Sequence, residues 1–85
     1  MLTAHARFEM DRRGLTEGLV ERVLREPGER WEVRPGRHVL QSKISMGDPA
    51  KLYVVRVVID TDRIPNEVVT AYRTGKIEKY WRQRR

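Results

Sequence analysis

Five residues of this chain have side chains that could act on a phosphate: His5, Arg56, Thr70, Tyr72 and Arg73. Arg56 interrupts an otherwise apolar run from Tyr53 to Ile59. A guanidinium among apolar neighbours requires a partner or an anionic ligand, and its fixed fork of donors matches phosphate oxygens. In an extended segment Thr70 and Tyr72 alternate onto one face, with Arg73 at the segment's end. A hydroxyl, a phenol and a guanidinium there could orient a phosphate and stabilise charge that develops on it. His5 supplies an imidazole, the side chain that most readily carries a proton near neutral pH. A phenol needs arginines beside it before it can serve as a base. Each residue also has a structural role open to it: an ion pair or a water-reaching stem for Arg56, strand forming for Thr70, core packing for Tyr72, and solvation for Arg73 and His5.

A second group lies near the end of the chain. Lys76, Lys79, Arg82 and Arg84 alternate with Tyr80 and Trp81. Cations interleaved with aromatic rings can hold a nucleic-acid strand, and the same rings could pin the tail onto the domain. The formal net charge is +6. From Arg73 onward six basic residues face one acid, Glu78. A field of that sign attracts a polyanion or an acidic protein partner. No phosphate-binding GxxxxGK loop, no GxGxxG and no HExxH occurs. The two histidines, His5 and His38, are far apart and the chain has no cysteine, so neither a metal nor another cofactor is expected.

The elements that must position these residues follow from periodicity and punctuation. With 85 residues the chain is expected to be a single domain, 1–85, with a basic tail over 76–85. Thr3 can cap a first helix that runs to about Arg13, and Gly14 can end it. Ala4 and Phe8 share one face of that helix. Thr16 reads as the cap of a second helix, whose stripe is Leu19, Val20, Val23 and Leu24, and Pro27-Gly28 stops it. Strands are expected over 30–34, 38–46, 52–59 and 67–73, joined by Pro35-Gly36, Gly47-Asp48-Pro49 and the segment around Pro65. Ile77, Tyr80 and Trp81 fall on one side of a short final helix. The order of elements predicts an α+β fold: two N-terminal helices packed on a twisted, mainly antiparallel sheet of three to four strands. The core is expected to be Leu19, Val20, Val23, Leu24, Leu40, Ile44, Val55, Val57, Ile59, Val69 and Ala71. No run approaches the ~20 apolar residues that span a bilayer, and no secretory leader is visible. No membrane partner and a cytoplasmic location are therefore expected.

The opening HARFEMDRRGLTEGLVERVLREP and the piece VVTAYRTGKIEKYW from Val68 to Trp81 together cover most of the chain. They resemble a small domain-of-unknown-function family that is itself similar to the BrnT and RelE/ParE toxins. The resemblance implies a RelE-like fold, a small antitoxin as partner, and metal-independent cleavage of RNA, free or ribosome-bound. It places the family's opening histidine on His5, its TAYRT segment on Thr70 to Thr74, and a central-strand arginine on Arg56. In that chemistry a ribose 2′-oxygen loses its proton and attacks the adjacent phosphate, the 5′-oxygen leaves, and a 2′,3′-cyclic phosphate results. The alternative is a non-catalytic module that holds nucleic acid or a protein on the same fold.

Overall fold

The computed structural model describes residues 2–83. Both major helices start on the threonines that the sequence marks. Thr3 accepts a hydrogen bond from the Ala6 amide at 3.0 Å and opens α1, Ala4–Arg12. Gly14 follows it with φ +68°, a conformation that costs glycine little. Thr16 accepts from the Leu19 amide at 3.2 Å and opens α2, Glu17–Arg25. Four strands follow: β1 Glu29–Arg34, β2 Arg37–Met46, β3 Lys51–Asp60 and β4 Glu67–Thr74. A single helical turn, α3, covers Ile77–Tyr80. The strands form one sheet in the order β1-β2-β3-β4, every neighbour antiparallel. Among the described residues no helix is long and apolar enough to cross a membrane.

The two N-terminal helices cover one face of the sheet. Val20 and Val23 of α2 meet Leu40 and Ile44 of β2, Val55, Val57 and Ile59 of β3, and Val68 and Ala71 of β4. This stripe is the main apolar burial available to a domain of this size. Leu19 and Leu24 only flank it.

One expected core position is corrected. The expected core residue Val69 is half-buried, and Val68 takes its place in the core. The cause is a register shift: Val58 pairs with Thr70 but Ile59 pairs with Val68, so Val69 is an extra residue in β4. One inserted residue reverses which side chains face the helices. Helix α1 buries Ala6, Glu9 and Met10 and leaves the face that carries Ala4 and Phe8 outside the core. Both ends of α1 are tied to β4, by the Thr3 amide on the Val68 carbonyl at 3.1 Å and by Arg13 Nη1 on the Ala71 carbonyl at 3.2 Å. Those ties set the helix's rotation, and Phe8 is left 62 % exposed. Glu9 tolerates burial because Arg13 lies 2.6 Å from its carboxylate.

Leu40→Ala should therefore lower the unfolding free energy by about 2–5 kcal/mol in a urea titration, the range for emptying a packed core position. Phe8→Ala should change it by no more than about 0.5 kcal/mol, as for other exposed sites. Equal losses at the two positions would mean that α1 is rotated differently.

Candidate nucleic-acid interface

The sheet's second face carries buried Val39 and Val54 and, between them, a polar row that strand register assembles. Glu29 pairs with Gln41, Gln41 with Arg56, and Arg56 with Tyr72, so four side chains stand in one row across four strands. Neighbours in such a row are close enough to bond. Gln41 Nε2 donates to Glu29 Oε1 at 2.6 Å, Arg56 Nε donates to Gln41 Oε1 at 3.0 Å, and Arg56 Nη1 donates to the Tyr72 hydroxyl at 3.2 Å.

The tail closes over this row. The Tyr80 carbonyl accepts from Gln41 Nε2 at 3.0 Å and from Arg56 Nη2 at 3.5 Å. The Arg82 and Gln83 amides donate to the two Glu29 oxygens at 2.9 and 2.6 Å. Trp81 lies against Gly28, where a Cβ would stand 2.7 Å from the indole Cη2. Burial of Glu29 opposes its ionisation, but the hydrogen bonds from the Arg82 amide, Gln41 and the Gln83 amide, with the nearby Arg82 charge, outweigh it. Its carboxyl is held below the ordinary value.

Cations and rings alternate across this face. Arg56 lies over Tyr80 at 4.8 Å, Trp31 at 5.4 Å and Tyr72 at 5.9 Å, measured to ring centroids. Arg82 lies over Trp31 at 4.3 Å and Lys43 over Trp81 at 4.6 Å. At the β4 end, Arg13 comes round the sheet edge to 5.5 Å from the Tyr72 ring. It is steered there by Glu9 and by the Ala71 carbonyl. Tyr72 thus stands between two guanidiniums, one of them ion-paired. Among the described residues Arg56 has no carboxylate within 4.0 Å. Basic and aromatic side chains in contact over one face are the composition of a nucleic-acid-binding surface.

The residues singled out from sequence fall into separate places. Arg56 and Tyr72 are bonded, and Thr70, opposite Val58, shares their face. Arg73 pairs with Val55 and projects from the helix-covered side, past the end of α1, where it meets Tyr53 at 4.7 Å. His5 is exposed in the first turn of α1. Eight residues separate it from Arg13, or about 12 Å of helix, so the fold does not bring it to Tyr72. Lys76 is exposed at the start of α3, Lys79 lies over Tyr80 at 5.6 Å, and Arg82 lies on Trp31. Arg84 lies outside the described residues. Sequence reasoning missed Arg13, Glu29, Gln41 and Lys43. Gln41 carried a usable signal, a polar residue facing the same way as Val39 in a well-formed strand. Among the described residues no group of three or more His, Cys, Asp or Glu could hold a metal ion.

A lowered Glu29 value fixes the sign of a pH effect. Ionised Glu29 stabilises the docked tail fully above its ordinary value of 4.5, and that contribution is lost as pH falls through the lower folded value. Hydrogen-exchange protection at the Arg82 and Gln83 amides should fall over that acidic window, and Glu29→Gln should abolish the pH dependence. Gly28→Ala should lower the same protection at neutral pH, because the indole must shift. An unchanged pH profile in Glu29→Gln would show that Glu29 is not the clamp.

A family model described as a domain of unknown function, DUF4258, matches residues 2–73, from the bridge before α1 to the penultimate residue of β4. No curated protein and no solved structure matches the chain. The matched segment holds both helices, the whole meander up to its last residue, and the row from Glu29 to Tyr72, and on that match the chain belongs to the DUF4258 family.

Proposed function

We propose that this domain is a toxin-like endoribonuclease that binds RNA on its cation–aromatic face and cleaves it at Tyr72 without a metal. One observation carries the reading: the Tyr72 phenol accepts a hydrogen bond from Arg56 at 3.2 Å and has Arg13 5.5 Å from its ring. Because Arg56 donates to the phenolic oxygen, the phenol's own hydrogen is free to point at a ligand. Tyr72 then acts as the general acid that protonates the departing 5′-oxygen, after a water molecule or hydroxide from solvent has taken the 2′-proton and the 2′-oxygen has attacked the phosphate. Arg13 and Arg56 offset the charge that builds on the phosphoryl oxygens, and Thr70 orients the phosphate from the same face. The 2′-hydroxyl requirement selects RNA over DNA. Two helices on an antiparallel sheet, generically like RelE-type folds, support the toxin reading. An acidic or amphipathic antitoxin segment that covers the cationic face would silence it.

A second reading has its own support. Three nitrogens of Arg56 already have acceptors within the protein, Gln41, Tyr72 and Tyr80. On that ground the face would hold RNA, or a partner, without cleaving anything.

Purified protein should cleave single-stranded or ribosome-bound RNA in EDTA and leave 2′,3′-cyclic phosphate ends. Tyr72→Phe should slow cleavage about 100-fold or more while RNA affinity is kept, the usual size of a lost proton-transfer group. Arg13→Gln should cost about 100-fold, as for one electrostatic donor. Full activity in Tyr72→Phe would remove the proposed site. Binding by the wild type without cleavage of either RNA would establish the second reading.

A further inference from the structure

The cation–aromatic contacts do not stop at Tyr72 but continue round the free side of β4. Gly14 follows Arg13, and a Cβ on it would stand 4.0 Å from Arg73 Nη2. Arg73 lies over the Tyr53 ring at 4.7 Å, and Lys51 Nζ lies 5.5 Å from the same centroid. The group sits beyond the end of α1, on the helix side of the sheet, where Arg73 and Lys51 are exposed and Tyr53 is half-buried.

Arg7, Arg12, Arg13, Arg25 and Arg37 each have a carboxylate partner. Among the described residues neither Lys51 nor Arg73 has one within 4.0 Å. The polar neighbour of Arg73 is the Met46 sulfur at 3.9 Å, a weak acceptor that neutralises nothing. A lysine and an arginine beside one phenol ring match a ligand that has both an anionic oxygen and a stackable ring. Gly75 keeps the ground beside Lys51 open, for a Cβ there would come within 3.3 Å of Nζ.

We propose that Lys51, Tyr53 and Arg73 form a second nucleotide-binding site, which takes a phosphate of single-stranded RNA between its cations and a base or ribose over Tyr53. The site rests on the RNA reading of the Tyr72 face and extends it: the strand passes from Tyr72 over Arg13 and Gly14 to Arg73. Arg73 is thereby a holding residue one or more nucleotides from the scissile bond.

The test uses the full chain and two probes. In an NMR titration, 5′-phosphorylated diuridine should shift the Gly14 and Gly75 amides, and the double variant Lys51→Gln/Arg73→Gln should lose those shifts. A matched variant on the opposite face, Lys43→Gln/Arg82→Gln, should keep them. With a single-stranded RNA followed by fluorescence anisotropy, Lys51→Gln/Arg73→Gln should flatten the dependence of log K on log salt by about 1.4, two contacts at ~0.7 each. No shift at Gly14 and Gly75, or an unchanged salt slope, overturns the site. Diuridine shifts at Gly14 and Gly75 in a protein that binds no longer RNA would keep this site and reject the RNA-processing function. Both pairs of substitutions replace exposed cations, and circular dichroism should show the fold unchanged.

Discussion

Everything on the sheet's second face depends on satisfying one side chain, the amide of Gln41. It is fully buried, at 0 % exposure, in the middle of a β-sheet. A buried amide left without partners costs about 1–3 kcal/mol per unsatisfied group, a large share of a small domain's stability. Its oxygen takes a hydrogen bond from Arg56, and its nitrogen serves Glu29 and the Tyr80 carbonyl. Those needs determine what stands next to it: an acceptor on β1, a donor on β3, and a main-chain carbonyl from the tail. Among the described residues no buried side-chain nitrogen or oxygen lacks a partner. A polar network completed in this way orders its members instead of weakening them.

The two faces of the sheet thus solve the same problem by different means. One is closed by apolar burial under α1 and α2, with Val20, Val23, Leu40 and Val57 among its most buried members. The other buries Val39 and Val54 but is closed chiefly by hydrogen bonds and by rings packed on cations. Apolar packing tolerates small shifts of its parts, whereas a hydrogen-bonded row requires register. The side-by-side pairing of Glu29, Gln41, Arg56 and Tyr72 supplies that register. The Arg37–Asp60 pair, with contacts of 2.7 and 3.0 Å between the start of β2 and the end of β3, helps hold the strands in it.

What the sequence made legible was local. Helix caps at Thr3 and Thr16, the stripe of α2 and the alternation of β2 and β3 depend on neighbours a few residues apart, and they could be read directly. Arg56 could be flagged because it breaks an apolar run, but its partners come from other strands. The misplacement of Val69 arose because an extra residue in β4 leaves no mark in composition. The buried face of α1 was not legible, because a short helix with few apolar residues takes its rotation from ties at its ends, not from its own stripe. Arg13 escaped notice for a related reason, since its carbonyl partner Ala71 is 58 positions away. Tyr72 and Arg73 looked like one cluster because they are adjacent, yet adjacent strand residues face opposite ways.

The row also has direction. At the β1 end Glu29 is the sink for two main-chain amides and for Gln41, so its charge is fully used inside the protein. At the β4 end the pattern reverses. Tyr72 accepts from Arg56 and faces Arg13, and the carboxylate in reach of Arg13 is Glu9 on the helix behind it. The carboxylate thus stands under the tail, while the cations Arg82, Lys43, Arg56 and Arg13 are spread along the whole face. The row thus carries its one carboxylate at the end that holds the tail and its phenol, between two guanidiniums, at the other.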